Sequence, residues 1–268
     1  MPPLFAFQYG TEKENPLSVI ALELADGTLE SLLSGKSNQP PQTSMHFWSQ
    51  IKGITEGLQT LHQTNILHLD LKPRNILIVN GIMKIADFGI VQWIESGENE
   101  RLRLSESDQS STSSKGLEHN HDYAPPIDLI VENREESKKF DVYCLGATLS
   151  DVACFRITGV DGLKQYRQSR RDEDEFDRPN FHINGETKSS VSEQHEHLRA
   201  LVKVNEDNGV TEHLDYQEQY FLDPAFFDIV NKILDIYSQK KPAAQIVAQL
   251  LSHLHAGRVR ASSNALGA

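Results

Sequence analysis

Asn80-Gly81 stands between two short apolar runs, ILIV at 76–79 and IMKIA at 82–86. No other feature restricts the folding of this chain so tightly. A type I′ turn needs both central residues at positive φ, which Asn and Gly tolerate best, so the pair predicts a two-residue β-hairpin. Its register places Asn75 opposite Ala86. Asp87 comes next, so the open end of the hairpin gathers an amide oxygen and a carboxylate. Two hard oxygen ligands with open positions suit Mg²⁺ carrying substrate phosphates. Asp70, five residues before Asn75, falls in an irregular stretch where it can accept a hydroxyl proton or orient a nucleophile. Lys72 can balance charge on a phosphoryl group in transfer.

The hairpin sits in a chain that is otherwise mostly helical by pattern. Leu17 to Leu24 reads as a strand, broken by Asp26-Gly27-Thr28, with Thr28 placed to cap a following helix. Phe47, Ile51, Ile54, Leu58 and Leu61 recur at helical spacing, predicting one amphipathic helix from about Ser44 to His62. Gly53 and Gly57 within it would allow a neighbour to approach closely. KKFDVYCLGATLSDVACF, residues 138–155, is apolar on nearly every side and reads as a buried central helix. Gly159 to Tyr216 is rich in charge and reads as solvated helices and loops. Two closing helices flank Lys241-Pro242, and a tail from Arg258 is expected to fray. Residues 99–120 turn polar and Ser/Thr-rich, the composition of a solvated loop.

HLDLKPRN at 68–75 followed by DFG at 87–89 resembles the catalytic loop and metal-binding motif of eukaryotic protein kinases. Lys72 resembles the Ser/Thr group, and DYAPP with KKFDVYCLG is similar to fungal members. The resemblance implies that Asp70 is the catalytic base, that Asn75 and Asp87 hold Mg²⁺, and that His68 packs under Phe88. VIALELADGTLESLL is similar to the kinase hinge. It would make Leu22 the gatekeeper, with the Glu23 carbonyl and Ala25 amide at the adenine edge and Leu77 beneath the ring. Asp141 would anchor the backbone of the catalytic loop. The implied fold is α+β and protein-kinase-like over residues 1–257. Residues 1–25 would be a remnant of the β-rich N-lobe with the hinge, 26–257 a mainly helical C-lobe, and 258–268 a flexible tail. The implied activity is ATP- and Mg²⁺-dependent phosphoryl transfer to Ser or Thr of protein substrates.

The pattern departs from the family at four places. The 268 residues contain no Gly-x-Gly, and no Val-Ala-x-Lys strand precedes the hinge; Lys13, the one lysine before Glu23, lies in the polar stretch GTEKEN. The chain therefore reads as entering the fold at the fourth strand of the small lobe. Leu69 stands where many kinases carry an Arg that captures a phosphorylated loop. Ile127 replaces the acidic residue expected after the two prolines, and Lys241 its arginine partner. These departures keep a second reading open, a catalytically impaired pseudokinase acting as a protein-interaction module. A small-molecule phosphotransferase is disfavoured by Lys72-Pro73 and the Asp141 helix.

Bulk properties narrow the partners. A formal charge of −12 argues against a general nucleic-acid surface. The run from Leu17 to Ala25 is too short to span a bilayer and contains Glu23. Cys144 and Cys154, ten apart in one apolar segment, are expected to stay unpaired, which points to an intracellular compartment, cytoplasmic or nuclear. HNHD at 119–122 reads as a polar loop before it reads as a metal site. The oligomeric state has no signature in the sequence.

Overall fold

The computed structural model describes residues 5–9, 17–37, 43–88, 92–93, 122–126, 134–208, 217–237 and 241–265. The Ser/Thr-rich stretch, His119, His121, Ile127 and Lys13 lie outside these residues. Strand β1 (Phe5–Tyr9) pairs antiparallel with β2 (Leu17–Ala21), Phe5 facing Ala21. β1 falls in the stretch expected to be a remnant of a β-rich lobe, but its five residues alternate too briefly to mark its bounds. After β2 the chain crosses to β3 (Gly27–Thr28) and the short helix α1 (Leu29–Leu33). Thr28 caps α1 as expected, its hydroxyl accepting from the Ser31 amide at 3.0 Å while the Ser31 hydroxyl accepts from the Thr28 amide at 3.0 Å.

Helix α2 runs Ser44–Gln63, with Phe47, Ile51, Ile54 and Leu58 buried. Its stripe ends on buried His62, which bonds Asp141 of the central helix at 2.9 Å, while Leu61 is only half-buried. Of the two glycines only Gly57 meets a neighbour, where an added Cβ would lie 3.5 Å from Ile85; Gly53 faces open space. β4 (Ile66–Leu67) pairs with β7 (Gln92–Trp93). Between them a 3₁₀ turn (Pro73–Asn75) leads into the hairpin of β5 (Ile76–Val79) and β6 (Ile82–Ile85). Its register is the expected one, Ile76 facing Ile85 and Val79 facing Ile82, with Asn80 at φ 51° and Gly81 at φ 75°.

Helix α3 spans Arg134–Asp172 and is broken at Gly159, whose φ of 71° a residue with a Cβ rarely adopts. Phe140 to Cys154 is buried throughout, as the all-round apolar pattern requires. At Gly146 an added Cβ would lie 2.2 Å from Ile233 Cγ2, so this glycine is where the central helix touches the helix that carries Ile233. The hairpin of β8 (His182–Ile183) and β9 (Glu186–Thr187), then α4 (Ser189–Asn208), complete the middle of the chain. A second 3₁₀ turn (Glu218–Tyr220), α5 (Pro224–Leu234) and α6 (Ala243–Ala265) close it.

Two expectations give way here. The charged span after Gly159 is not simply solvated: Leu163, Tyr166, Arg170, Phe181, Lys188, Val191, His195 and Leu198 are all buried. Its buried charges are paired, Lys188 with Asp174 and Arg170 with Asp151, which is how a charged sequence enters a core. The tail from Arg258 does not fray at once either, since α6 continues to Ala265 with Ala261 buried and Arg260 donating to the Tyr220 carbonyl at 2.8 Å. Cys144 and Cys154 are free and buried. Among the described residues no helix is long and apolar enough to cross a membrane.

Candidate active site

Three of the expected residues meet directly. The Lys72 ammonium donates to Asp70 Oδ1 at 2.8 Å, and the Asn75 amide nitrogen donates to Asp70 Oδ2 and to the Asp70 carbonyl, both at 2.8 Å. With its NH₂ committed to Asp70, Asn75 keeps its amide oxygen for a ligand. Asp70 and Asn75 are buried and Lys72 half-buried. The 3₁₀ turn carries Asn75 out of the loop and into β5, so the loop and hairpin share this residue as their hinge point. The Ala86 amide donates to the Asn75 carbonyl at 2.9 Å, which extends the hairpin one pair beyond its strands. Asp87 therefore follows directly on the backbone partner of Asn75. Asp87 has φ 65° and an exposed side chain. Positive φ at a non-glycine residue costs free energy and persists where the surroundings fix it.

The floor of the loop hangs on Asp141. Its carboxylate accepts from the His68 amide at 2.9 Å and from the Leu69 amide at 2.7 Å, and bonds His62 Nε2 at 2.9 Å. Leu69 has φ 61°, so these bonds hold a strained residue next to Asp70. His62 is the member that sequence reasoning missed. Its signal was present, four residues beyond Leu58 on the buried stripe. His68 is buried, its ring 5.2 Å from that of Phe88, with Nε2 3.0 Å from the Ala86 carbonyl. That is the packing role expected of it.

The segment after β2 is pinned to the hairpin turn. The Asp26 amide donates to the Ile78 carbonyl at 2.8 Å, and Asp26 Oδ2 accepts from the Asn80 amide at 2.7 Å. Asn80 Nδ2 donates to Glu23 at 2.9 Å, and Lys84 ion-pairs with the same carboxylate at 3.5 Å. The Glu23 carbonyl and Ala25 amide make no backbone hydrogen bond with described residues. Leu22 is 50% exposed and Leu24 90%. Leu77, half-buried, lies on β5 between Thr28 and Lys84. These residues form an edge whose Glu23 carbonyl and Ala25 amide have no partner among the described residues. Asn75 and Asp87 offer the hard oxygens that Mg²⁺ takes. Among the described residues no glycine-rich turn lies over them to receive a triphosphate.

A second polar cluster joins the end of the loop segment to the large lobe. The Tyr123 hydroxyl donates to Asp151 Oδ2 at 2.8 Å. Arg167 donates through Nε to the same oxygen at 2.8 Å, and Arg170 Nη1 to Oδ1 at 3.0 Å. Arg167 also clasps Glu30 of α1 with two bonds of 2.8 and 2.9 Å. Burial works to raise the Asp151 carboxyl, but Arg170 and Arg167 outweigh it and hold it below the usual range. Burial, then the charge on Asp151, pushes the Tyr123 phenol well up, so it stays a donor. None of these five residues stood out in the sequence, because partners 137 residues apart leave no local pattern.

Comparison with known proteins agrees with the geometry. A sequence model of the protein kinase domain matches residues 6–255. The chain belongs to the protein kinase family. It is 30% identical over 145 residues to a serine/threonine-protein kinase of Gibberella zeae, covering 53% of this chain and 25% of that protein. It is 30% identical over 139 residues to a Wee1-like protein kinase of Oryza sativa, covering 52% and 22%. Over 64 residues it is 47% identical to a probable serine/threonine-protein kinase, an MRK1 homolog, of Encephalitozoon cuniculi, covering 24% and 20%. The kinase chain thus spans about a quarter or less of the length of these curated relatives. Its fold is α+β, mainly helical, with a small β region at the start.

Proposed function

We propose that this kinase domain transfers a phosphoryl group from ATP to Ser or Thr hydroxyls of a protein substrate. The observation that carries the reading is the Asp70–Lys72–Asn75 cluster, in which one carboxylate is oriented by two donors at 2.8 Å. Asp70 accepts the proton of the attacking hydroxyl, and Lys72 places positive charge beside it. Leu22, Glu23, Ala25 and Leu77 receive the adenine. Asn75 and Asp87 would hold Mg²⁺, which when bound neutralises phosphate charge. Two buried free thiols support a reducing, intracellular setting.

Transfer of labelled phosphate from ATP to a Ser/Thr peptide tests this. Asp70→Asn should lower kcat by a factor on the order of 10² to 10⁴, with circular dichroism showing the variant still folded at the assay temperature. The second reading, a pseudokinase that binds proteins, draws on the absence of any Gly-x-Gly in the 268 residues. It expects no transfer and no thermal stabilisation by ATP with Mg²⁺. Saturable stabilisation that disappears in Asp87→Ala would sink it.

A further inference from the structure

Arg74 is the one charged residue of the catalytic turn that the transfer chemistry does not use. It lies between Pro73 and Asn75, both buried, and is itself exposed. Among the described residues it has neither a hydrogen bond nor an ion pair. The acids on the elements packed beside it are already neutralised. α1 rests against this turn, and its Glu30 is held bidentate by Arg167 at 2.8 and 2.9 Å. Asp151 is taken by Arg167 and Arg170, and Asp70 by Lys72. Asp87 remains exposed and belongs to the metal pair. A basic side chain arriving at this turn would therefore meet an uncompensated cation, while an acidic one would meet a partner. The chain's net charge of −12 does not reverse this, because at physiological salt charges beyond about 8 Å are largely screened.

We propose that Arg74 selects protein substrates with an Asp or Glu close to the phosphorylated residue. The proposal takes its setting from the transfer reading, yet binding tests it without turnover. Two labelled peptides, with Ala in place of the acceptor and flanked either by Asp or by Arg, are titrated with the full chain and followed by fluorescence anisotropy. The Asp peptide should bind more tightly. Arg74→Ala should weaken it about threefold, and Arg74→Glu should reverse the order of the two peptides. The preference should fade as salt rises toward about 1 M, where the screening length is about 3 Å. Equal binding, no binding, or a preference that Arg74→Glu leaves in place overturns the proposal. The same peptides with Ser restored report transfer separately, so a chain that binds by charge but transfers nothing refutes the transfer reading alone.

Discussion

Asp141 and Asp151 sit ten residues apart on α3, about 15 Å along its axis, both fully buried and both accepting three hydrogen bonds. Their partners differ in kind. Asp141 is met by two backbone amides and a histidine, so it fixes the path of a loop. Asp151 is met by a phenol from the 122–126 segment and by two guanidinium groups from beyond the Gly159 break of α3 itself, so it fixes side chains. A carboxylate satisfied by amides orders the backbone next to the reacting group. One satisfied by cations ties distant segments together, and its loss strands those cations in the core. The kinase floor and the support of its loop end thus hang from one helix by two different kinds of bond.

The largest break in that comparison should come from Asp151→Asn. It leaves Arg170, 1% exposed and stacked over the Tyr166 and Phe181 rings at 4.2 and 4.0 Å, without its counter-charge. Removing one partner of a buried pair costs about 3–5 kcal/mol, which thermal melting should register as a loss on the order of 10 °C.

Next comes acid sensitivity along α3. His195 bonds Ser150 at 2.7 Å and also Asn231, and His182 packs against Tyr143. Burial drives both imidazoles from the ordinary 6.5 down to about 4. The unfolded chain takes up protons below pH 6.5 that the folded chain refuses until about pH 4. Stability is therefore full above pH 6.5 and falls as pH drops through that window, by on the order of 3 kcal/mol per histidine at the bottom. Urea denaturation between pH 7 and pH 4 measures the slope, and His195→Gln should remove roughly half of it.

Asp141→Asn should cost less stability than Asp151→Asn, about 1–3 kcal/mol for an amide left without its acceptor. Its effect on phosphoryl transfer should be the greater of the two, because Leu69 at φ 61° loses a bond beside Asp70. If the ranking in stability is inverted, the distinction drawn between the two carboxylates is wrong. The smallest change belongs to α1: Thr28→Ala removes half a capping box and should cost about 1 kcal/mol, read as a shift of the urea midpoint.

Much of the site was legible because its geometry is local. Asn80-Gly81 set the hairpin register, and that register brought Asn75 and Ala86 together as the spacing required. The stripe on α2 and the apolar helix at 140–154 were legible because burial repeats at the helical period. His62 and the Tyr123–Asp151–Arg167–Glu30 cluster were not, since a polar residue in the core looks like a polar residue on the surface until its partner is known. The charged span after Gly159 misled for that reason: Lys188, fully buried, donates to the Arg170 and Arg178 carbonyls at 2.7 and 2.8 Å.

The sequence by itself determined the hairpin and its register, through contacts within about twenty residues, and the order of the main helices. Only the tertiary structure decided which charges are spent on holding the kinase together and which stay exposed. Glu30, Asp151 and Arg167 are consumed by one another, while Arg74 stays exposed. Burial and pairing of a charge depend on what the fold places beside it, and a one-dimensional pattern holds no record of that.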